Sequence, residues 1–520
     1  SFIQGDTLKG FRLFGESIRN LNLLPMFGNP GTTEIGALRD VDNYVLTLFD
    51  GLAVGMADGM VQISGIPRIV NLHTALGLGN SMGYIFTAKS NRTPLVITAG
   101  QQDMRHIHYE PLLSGDLIEL VGRNAKFSYE VKNAGEIPDI LKRAKREALT
   151  PPMGPVFVSL PMNVMDEDVS SSPADDVDVI QDQGSEEIVN KVADIINESK
   201  NPAIVMGWEI DLFNAFNEAQ SFAEKLGCAV YGEPLPQRSP FLSESKYYAG
   251  DLLPATTLIN LKLVQNDLVL FIGGDVTLYP YLPSPLLEGK KIVFVGQNIT
   301  PKIGEFYRMN VKNFLKEITP KLNKKCDFVK QENFQQVSKA ARERQTMGTT
   351  YVMNKVRKIL HDYVVVDEAI SASTVLREVL GYSPSRYFSA KSGQLGWASP
   401  AAAGMSMVND KVLAVVGDGS FMYSIQILWT VKRYALPLKF LILRNGGYGI
   451  LKSFSTSYYP GMENKDYMSF TLNIEDIAES FGIESRVAGR DLEELRWLSE
   501  GKESKLLVVD VDKSIPKLFL

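Results

Sequence analysis

Short apolar runs alternate with amphipathic stretches along most of the chain. In the first third, residues 44–49, 68–72, 95–99 and 156–160 are rich in Val, Ile, Leu and aromatic residues. Runs of this length and composition are typical of buried strands, and the stretches between them have a helical pattern. This part of the chain is therefore predicted to be an α/β domain.

The same alternation of strand-like and helical patterns recurs twice more. Further strands are predicted at residues 203–206, 228–231, 268–272, 291–295, 411–416 and 438–443. An alternation of this kind favours parallel sheets with helices on both faces. We therefore predict an α/β protein with three doubly wound parallel-sheet domains.

Two polar stretches separate these domains. Residues 171–187 are acidic and rich in Ser, and residues 321–348 are polar and rich in Lys and Gln. The first is typical of a linker, and the second of a crossing linker or an exposed helix. The predicted domains are then residues 1–170, 188–320 and 349–520.

Composition narrows the class of protein. The chain has 520 residues, 45% hydrophobic and 22% charged, which is ordinary for a globular protein. No apolar run approaches 18 residues, so we expect no membrane span. The net charge of −6, without a basic stripe, argues against nucleic acid as a partner. With only Cys228 and Cys326, far apart in sequence, we expect no disulfide and a cytoplasmic location.

The clearest chemical signal lies in the last domain. GDGS at 417–420 follows one predicted strand, and RNGGYG at 444–449 follows the next. In a right-handed parallel crossover both loops lie at the carboxyl edge of the sheet. There Asp418, the amide oxygen of Asn445 and the carbonyl of Gly447 can bind one cation, and oxygen ligands suit Mg²⁺ or Ca²⁺. Gly419 and Ser420 open a helix, where free N–H groups favour a phosphate.

These motifs, taken together, resemble one enzyme superfamily. GDGS followed by the Asn occurs with GNPGTTE at 28–34, NLHTALGLGNSMG from residue 71, and SGQLGWASPAAAG at 392–404. The chain resembles the thiamine-diphosphate-dependent decarboxylases and acetolactate synthases, and within them the benzoylformate decarboxylases. It departs from the usual pattern at Arg444, where the family has a second Asn.

The resemblance implies a cofactor, a reaction and an assembly. The three domains would be pyrimidine-binding, middle and diphosphate-binding, with thiamine diphosphate and Mg²⁺ bound between two subunits of a homodimer or, more usually, a homotetramer. We favour a middle domain without FAD. The implied reaction is decarboxylation of a small 2-oxo acid through an enamine intermediate. A carboligase of acetolactate synthase type and a weakly active cofactor-binding paralogue are the alternatives.

The resemblance also implies catalytic residues in the first domain. Asp50 stands where the family has the Glu that activates the cofactor, one carbon shorter. His73 would handle protons at the substrate, and Thr32 would bind the substrate carboxylate. The competing interpretations are a helix cap for Asp50 and Thr32 and a structural loop histidine for His73. The resemblance places the second histidine of the benzoylformate decarboxylases near Pro280, and this stretch of the chain contains no histidine.

The remaining predicted contacts lie in the third domain. By resemblance, the backbone carbonyl of Gly393 would bind the aminopyrimidine, and Leu395 would support the bent cofactor. Ser371 and Tyr448 would contact the diphosphate, alongside Asp418, Gly419 and Ser420. Phe454 would line the substrate pocket.

Overall fold

The predicted fold class is confirmed: the chain contains three six-stranded parallel sheets flanked by helices. A computed structural model describes residues 7–177, 179, 184–332 and 335–519. Residues 178 and 180–183 of the first predicted linker and 333–334 of the second lie outside the described residues. Within the described chain, no helix is both long and apolar enough to cross a membrane.

The first domain has six parallel strands in the order β3-β2-β4-β5-β7-β6, with β1 and β8 paired antiparallel beside them. Its strands are β1 (Leu8–Lys9), β2 (Met26–Gly28), β3 (Tyr44–Leu46), β4 (Arg68–Leu72), β5 (Leu95–Gln101), β6 (Ser128–Glu130), β7 (Val156–Pro161) and β8 (Asp168–Val169). Its helices are α1 (Gly10–Asn20), α2 (Ile35–Leu38), α3 (Asp50–Ser64), α4 (Thr74–Ser90), α5 (Leu117–Val121) and α6 (Ile137–Leu149). Strands β4, β5 and β7 are buried throughout, which explains their nearly continuous apolar sequences.

The middle domain has the strand order β11-β10-β9-β12-β13-β14. Its strands are β9 (Pro202–Met206), β10 (Val230–Gly232), β11 (Tyr248–Asp251), β12 (Leu268–Ile272), β13 (Lys291–Gly296) and β14 (Glu305–Arg308). Its helices are α7 (Glu186–Glu198), α8 (Glu209–Leu212), α9 (Phe216–Leu226), α10 (Thr256–Lys262) and α11 (Val311–Ile318). The direction of winding reverses between β9 and β12, where open α/β sheets form a crevice.

The third domain has the strand order β16-β15-β17-β18-β20-β19. Its helices are α12 (Gln335–Glu343), α13 (Thr349–Leu360), α14 (Ser373–Leu380), α15 (Ala398–Ser406), α16 (Asp418–Phe421), α17 (Ile427–Arg433), α18 (Gly449–Tyr458), α19 (Ile474–Ser480) and α20 (Glu494–Ser499). Its strands are β15 (Val364–Glu368), β16 (Tyr387–Ser389), β17 (Val412–Gly417), β18 (Leu438–Arg444), β19 (Glu484–Val487) and β20 (Lys505–Asp510). Strands β17 and β18 are parallel neighbours, with Gly417 opposite Leu443. The predicted βαβ unit is therefore confirmed, and its two loops lie side by side. The limits of the three domains stay a prediction.

The first and third domains meet through helices α3 and α15, whose backbones are in contact. A Cβ atom at Gly59 would lie 2.0 Å from the carbonyl oxygen of Ala401, and one at Gly404 would lie 1.9 Å from that of Met56. Any larger side chain at either glycine would push the helices apart. The small residues of both helices therefore fix how the two domains sit together.

The expectation of no disulfide is wrong. Cys228 and Cys326 are bonded, with their Cα atoms 4.8 Å apart and the two residues 98 positions apart in sequence. The chain after α11 folds back along the end of α9, where the N–H groups of Cys326 and Phe328 donate to the carbonyls of Leu226 and Gly227. The separation of the two cysteines in sequence does not indicate that the segment of Cys326 folds back onto α9. Because disulfides persist mainly in oxidising compartments, the two cysteines no longer favour a cytoplasmic location.

We expect this disulfide to stabilise the middle domain. Removing it with Cys228→Ala and Cys326→Ala should lower the free energy of unfolding by about 2–4 kcal/mol, because the crosslink restricts the unfolded chain. Urea unfolding measures the difference. The unaltered protein in reductant is the control and should unfold like the double variant. An unfolding midpoint that does not change in reductant would contradict the assignment.

Candidate active site

Asp418 and Asn445 directly follow the neighbouring strands β17 and β18. Asp418 is only 2% exposed, and its carboxylate accepts N–H groups from Gly419 and Gly446, both at 2.9 Å. The amide oxygen of Asn445 accepts the N–H of Gly447 at 3.2 Å. These bonds fix both oxygens at the carboxyl edge of the sheet, in one loop cluster.

The electrostatics around Asp418 balance burial against positive charge. Burial raises the pKa of the Asp418 carboxyl, while the N–H groups of Gly446 and Gly419 and the nearby Arg444 lower it. The guanidinium of Arg444 has two carboxylate partners. It donates to Asp510 at 2.7 Å and to Glu475 at 2.6 Å. Arg444, which stands where the family has an Asn, is therefore held by the carboxylates of Asp510 and Glu475.

The surroundings of this loop fit a cation and a diphosphate. A Cβ atom at Gly419 would lie 2.7 Å from Phe470 and 2.9 Å from Tyr448, so only glycine fits beneath these rings. Ser420 follows in the buried start of α16, and a Cβ at Gly449 would lie 3.1 Å from the hydroxyl of Ser371. The loop thus gathers hard oxygen donors and N–H groups in one place.

Tyr448 directly precedes α18, next to the metal loop. Its backbone N–H donates to the carbonyl of Met468 at 3.0 Å, so that N–H is already used. Its ring packs edge to face against Phe470, with the ring centroids 4.9 Å apart. The side chain of Tyr448, and not its N–H, is therefore the part that can meet a cofactor.

Sequence reasoning missed Glu368, which anchors the loop that carries Gly393 and Leu395. The buried Glu368 carboxylate accepts the N–H groups of Gly396, Trp397 and Ala398, at 2.9, 2.9 and 3.0 Å. Burial raises the pKa of Glu368 to about 7, although these three bonds lower it. The position at the end of β15 was visible in the sequence, but its partners, nearly thirty residues later, were not.

The first domain also contributes to this loop. The hydroxyl of Tyr84 on α4 donates to the carbonyl of Gly396 at 2.9 Å, and Thr87 donates to the side chain of Gln394 at 2.6 Å. Gly393 has a φ of 74° and open space where a Cβ would be. Leu395 is half-buried, so its side chain and the carbonyl of Gly393 remain within reach of a ligand.

His73 is held by a second residue that the sequence reasoning missed, Glu34. The Glu34 side chain is fully buried, and Oε2 lies 2.8 Å from His73 Nδ1 while accepting the N–H of Gly31 at 2.8 Å. Its other oxygen accepts the N–H of Thr74 at 3.1 Å. A carboxylate at this distance assigns the proton to Nδ1, which leaves Nε2 free. The Glu two positions after Thr32 in GNPGTTE was the available signal.

Asp50 is buried but poorly satisfied. Helix α3 begins at Asp50 itself, and no side-chain bond caps the helix. Its carboxylate instead meets the N–H of His73 at 3.5 Å and the amide of Asn80 at 3.4 Å, both long hydrogen bonds. A Cβ at Gly77 would lie 2.5 Å from Asp50 Oδ1. The cap interpretation of Asp50 is therefore wrong.

Thr32 lies in the same part of the first domain. It is exposed, while its neighbour Thr33 is buried and accepts the amide of Gln102 at 3.3 Å. Helix α2 begins later, with Glu34 at the N-cap position, so Thr32 does not cap it. The loop of Thr32 adjoins His73 through Gly31, whose N–H donates to the same Glu34 oxygen that His73 contacts.

The predicted site residues thus fall into two groups. The first-domain group comprises Thr32, Asp50 and His73, together with Glu34. The third-domain group surrounds the loops after β17 and β18, and Phe454 lies on α18 just beyond it. The ring of Tyr279, next to Pro280 in the middle domain, packs on Phe454 with centroids 6.1 Å apart.

Three family models match the chain in the order of its domains. The N-terminal TPP binding domain of thiamine pyrophosphate enzymes matches residues 8–121, the central domain 189–314, and the C-terminal TPP binding domain 371–511. The chain belongs to the thiamine pyrophosphate enzyme family. The resemblance seen in the sequence is confirmed, and the two groups of site residues lie in the two TPP-binding domains.

Individual relatives of this thiamine pyrophosphate enzyme point to two activities. It is 31% identical to benzoylformate decarboxylase from Pseudomonas aeruginosa, over 85% of this chain and 86% of that protein. It is 25% identical to the acetolactate synthase large subunit of Haemophilus influenzae, over 97% of this chain and 94% of that protein. The crystal structure of benzoylformate decarboxylase from Polynucleobacter necessarius is similar with a TM-score of 0.87, 28% identity, and 98% and 99% coverage.

The raised pKa of Glu368 predicts a pH dependence of stability in this thiamine pyrophosphate enzyme. A carboxyl whose pKa is higher in the folded state contributes stability below its unfolded value of about 4.3, and this is lost as pH rises through about 7. The free energy of unfolding should therefore fall across this window. Urea unfolding at several pH values should show a smaller fall in Glu368→Gln. An equal fall in both proteins would contradict the assignment.

Proposed function

We propose that the chain is a thiamine-diphosphate- and Mg²⁺-dependent enzyme that decarboxylates a small 2-oxo acid. The observation that carries this is the pairing of His73 with the buried Glu34 beside Asp50, in a TPP-binding domain. Thiamine diphosphate, when bound, supplies the electron sink for loss of CO₂. The residues of the protein would bind and orient the cofactor and the substrate, and would move protons.

The third domain would hold the cofactor. Asp418, Asn445 and the carbonyl of Gly447 would bind Mg²⁺, since all three offer oxygen. The diphosphate would lie against Gly419, Ser420, Ser371 and the side chain of Tyr448. Gly393, through its carbonyl, and Leu395 would position the aminopyrimidine.

The first domain would supply the groups that move protons. The long bonds of Asp50 support a carboxylate that is free to take up a ring nitrogen as its partner. With Nδ1 directed at Glu34, Nε2 of His73 is free to give or accept a proton at the substrate. The exposed hydroxyl of Thr32 would bind the substrate carboxylate, and Phe454 would line the pocket.

We propose that two subunits complete each site. Large apolar side chains on α4 face solvent in the single chain, with Leu76 58% and Phe86 51% exposed. This face lies beside Asn80, which contacts Asp50, so a partner on α4 would approach the first-domain group. A homodimer is then the minimum assembly, and the family resemblance favours a homotetramer.

We propose that the middle domain binds no FAD. The loops after β9 and β12 approach each other closely, since a Cβ at Gly207 would lie 2.2 Å from Gly274 Cα. The buried Glu209 carboxylate accepts the N–H groups of Gln297 at 3.1 Å and Asn298 at 2.6 Å. Loop N–H groups of this kind are the ones a bound phosphate would use.

One observation favours carboligation as a second candidate. The chain has only four histidines, and none lies near Pro280, where the resemblance places the second catalytic histidine of the benzoylformate decarboxylases. Slow protonation after loss of CO₂ would leave time for capture by a second carbonyl compound. The acetolactate synthase relatives support the same alternative. A weakly active cofactor-binding paralogue would follow if Asp50 activates the cofactor poorly.

A panel of 2-oxo acids tests the proposed function. The protein is incubated with thiamine diphosphate, Mg²⁺ and each acid, and both CO₂ and the organic product are measured. We expect release of CO₂ with an aldehyde as the main organic product. Turnover should be lower in His73→Ala by about 10²–10⁴-fold. Acetolactate-type products would support the carboligase. Tight cofactor binding without CO₂ release from any acid would contradict an enzymatic function.

Asp418→Ala should abolish retention of the cofactor. The change removes the one anionic ligand of the proposed Mg²⁺ site, so affinity for thiamine diphosphate at micromolar Mg²⁺ should fall by at least about 10²-fold. Titration followed by intrinsic fluorescence measures it. The matched control is Asp410→Ala, an Asp in an exposed ion pair with Lys502 in the same domain. Equal affinities of Asp418→Ala and the control would show that Asp418 does not bind the metal.

Asp50 is expected to be a working but imperfect replacement for Glu. Asp50→Glu should speed exchange of the thiazolium proton, and Asp50→Asn should abolish it, because an amide cannot carry the charge. Quenched-flow NMR of the bound cofactor measures the rate. Since Asp50 caps nothing, both variants should unfold like the unaltered protein. Exchange in Asp50→Asn as fast as in the unaltered protein would remove the carboxylate from activation.

A further inference from the structure

The segment after β20, residues 512–519, lies across the carboxyl edge of the third sheet; we name it the closing segment. It starts beside the metal loop, where the N–H of Val511 donates to the carbonyl of Arg444 at 3.1 Å. A Cβ at Gly446 would lie 4.0 Å from Lys513 Nζ. The closing segment therefore starts beside the loop that carries Asn445.

The closing segment then docks on α18. The N–H of Leu518 donates to the hydroxyl of Ser453 at 3.1 Å, and the hydroxyl of Ser457 donates to the carbonyl of Phe519 at 3.3 Å. Ser453 and Ser457 are one turn apart, so they lie on one face of the helix. These bonds fix the position of Phe519 on α18.

Phe519 enters an aromatic cluster built from three distant parts of the chain. Its ring meets that of Phe454 edge to face at 5.3 Å between centroids, and that of Tyr279 at 6.1 Å. Tyr279 also stacks on Phe454 at 6.1 Å, and Tyr458 lies 4.7 Å from Phe454. Offset and edge-to-face pairs at these separations are mutually stabilising. Phe519 thus supports both rings from the side of the closing segment.

The cluster lies close to the proposed cofactor site. Helix α18 begins at Gly449, where an added Cβ would lie 2.9 Å from Asn445 Nδ2. Phe454 is five residues further on, which is about 7.5 Å along the helix axis. The middle-domain side remains open, because Tyr279 is 56% exposed. The aromatic cluster therefore begins about one and a half helical turns beyond the residue of α18 that adjoins Asn445.

We propose that Phe519 is a specificity-determining residue, whose ring limits the size of the 2-oxo acid side chain that the site accepts. The inference rests on the proposed function. The rings of Phe454 and Tyr279 would form the wall of the pocket, and Phe519 would fill the space behind them. Loss of its ring opens that space, so longer side chains should gain access while short ones keep theirs.

Phe519→Ala tests the proposal with a graded series of substrates. kcat/KM is measured for pyruvate, 2-oxobutanoate, 2-oxopentanoate and benzoylformate with the holoenzyme. We expect the preference for the larger acids over pyruvate to rise by about 10-fold or more. Phe519→Tyr should keep the original order, and Phe519→Leu should be intermediate. Leu261→Ala, an exposed leucine in the middle domain, is the matched control and should change nothing.

The outcomes separate this inference from the proposed function. If the unaltered enzyme releases CO₂ but the order of substrates is the same in Phe519→Ala and Phe519→Leu, the inference is overturned and the proposed function stands. Affinity for thiamine diphosphate should be unchanged, since the metal ligands are intact. A fall in kcat/KM by the same factor for every substrate would also overturn the inference, because it would indicate a purely structural role for Phe519. No CO₂ from any acid with the unaltered enzyme would overturn both.

Discussion

The contact between helices α3 and α15 determines how the rest of the molecule is arranged. Their backbones approach so closely that Gly59 and Gly404 admit no Cβ atom. The contact is reinforced at its end, where the indole of Trp397 donates to the fully buried carboxylate of Asp58 at 2.9 Å. The start of α15 is thus fixed against the first domain, and with it the loop that carries Gly393 and Leu395.

Buried carboxylates recur wherever a loop of the candidate site has to be fixed. Asp58, Glu34 and Glu368 are each surrounded by donors, and for Glu368 all three donors are backbone N–H groups. A buried carboxylate without such donors would be strongly unfavourable, so each loop is held in one conformation. Asp50 is the exception, because its two hydrogen bonds are long. That contrast supports a catalytic Asp50 among structural neighbours.

The sequence predicted well those features that follow from local pattern and parallel topology. Asp418 and Asn445 could be placed together because each follows a buried strand, and parallel crossovers bring such loops to one edge. Glu34 and Glu368 were missed because their importance lies in which N–H groups fold back onto them. The Cys228–Cys326 bond was missed for a similar reason, since it depends on the return of a distant segment along α9. Contacts between remote segments leave no periodic signal in one sequence.

We propose that one active site combines the first-domain group of one subunit with the third-domain group of another. Co-expression of Asp50→Ala and Asp418→Ala chains, each of which should be inactive alone, distinguishes this arrangement from a site within one chain. In randomly mixed dimers half of the molecules are hybrids, and each hybrid holds one intact site of two. We expect the mixture to recover about a quarter of the unaltered activity. No recovery in hybrids shown to be dimeric would contradict it, because it would mean that both groups act within one chain.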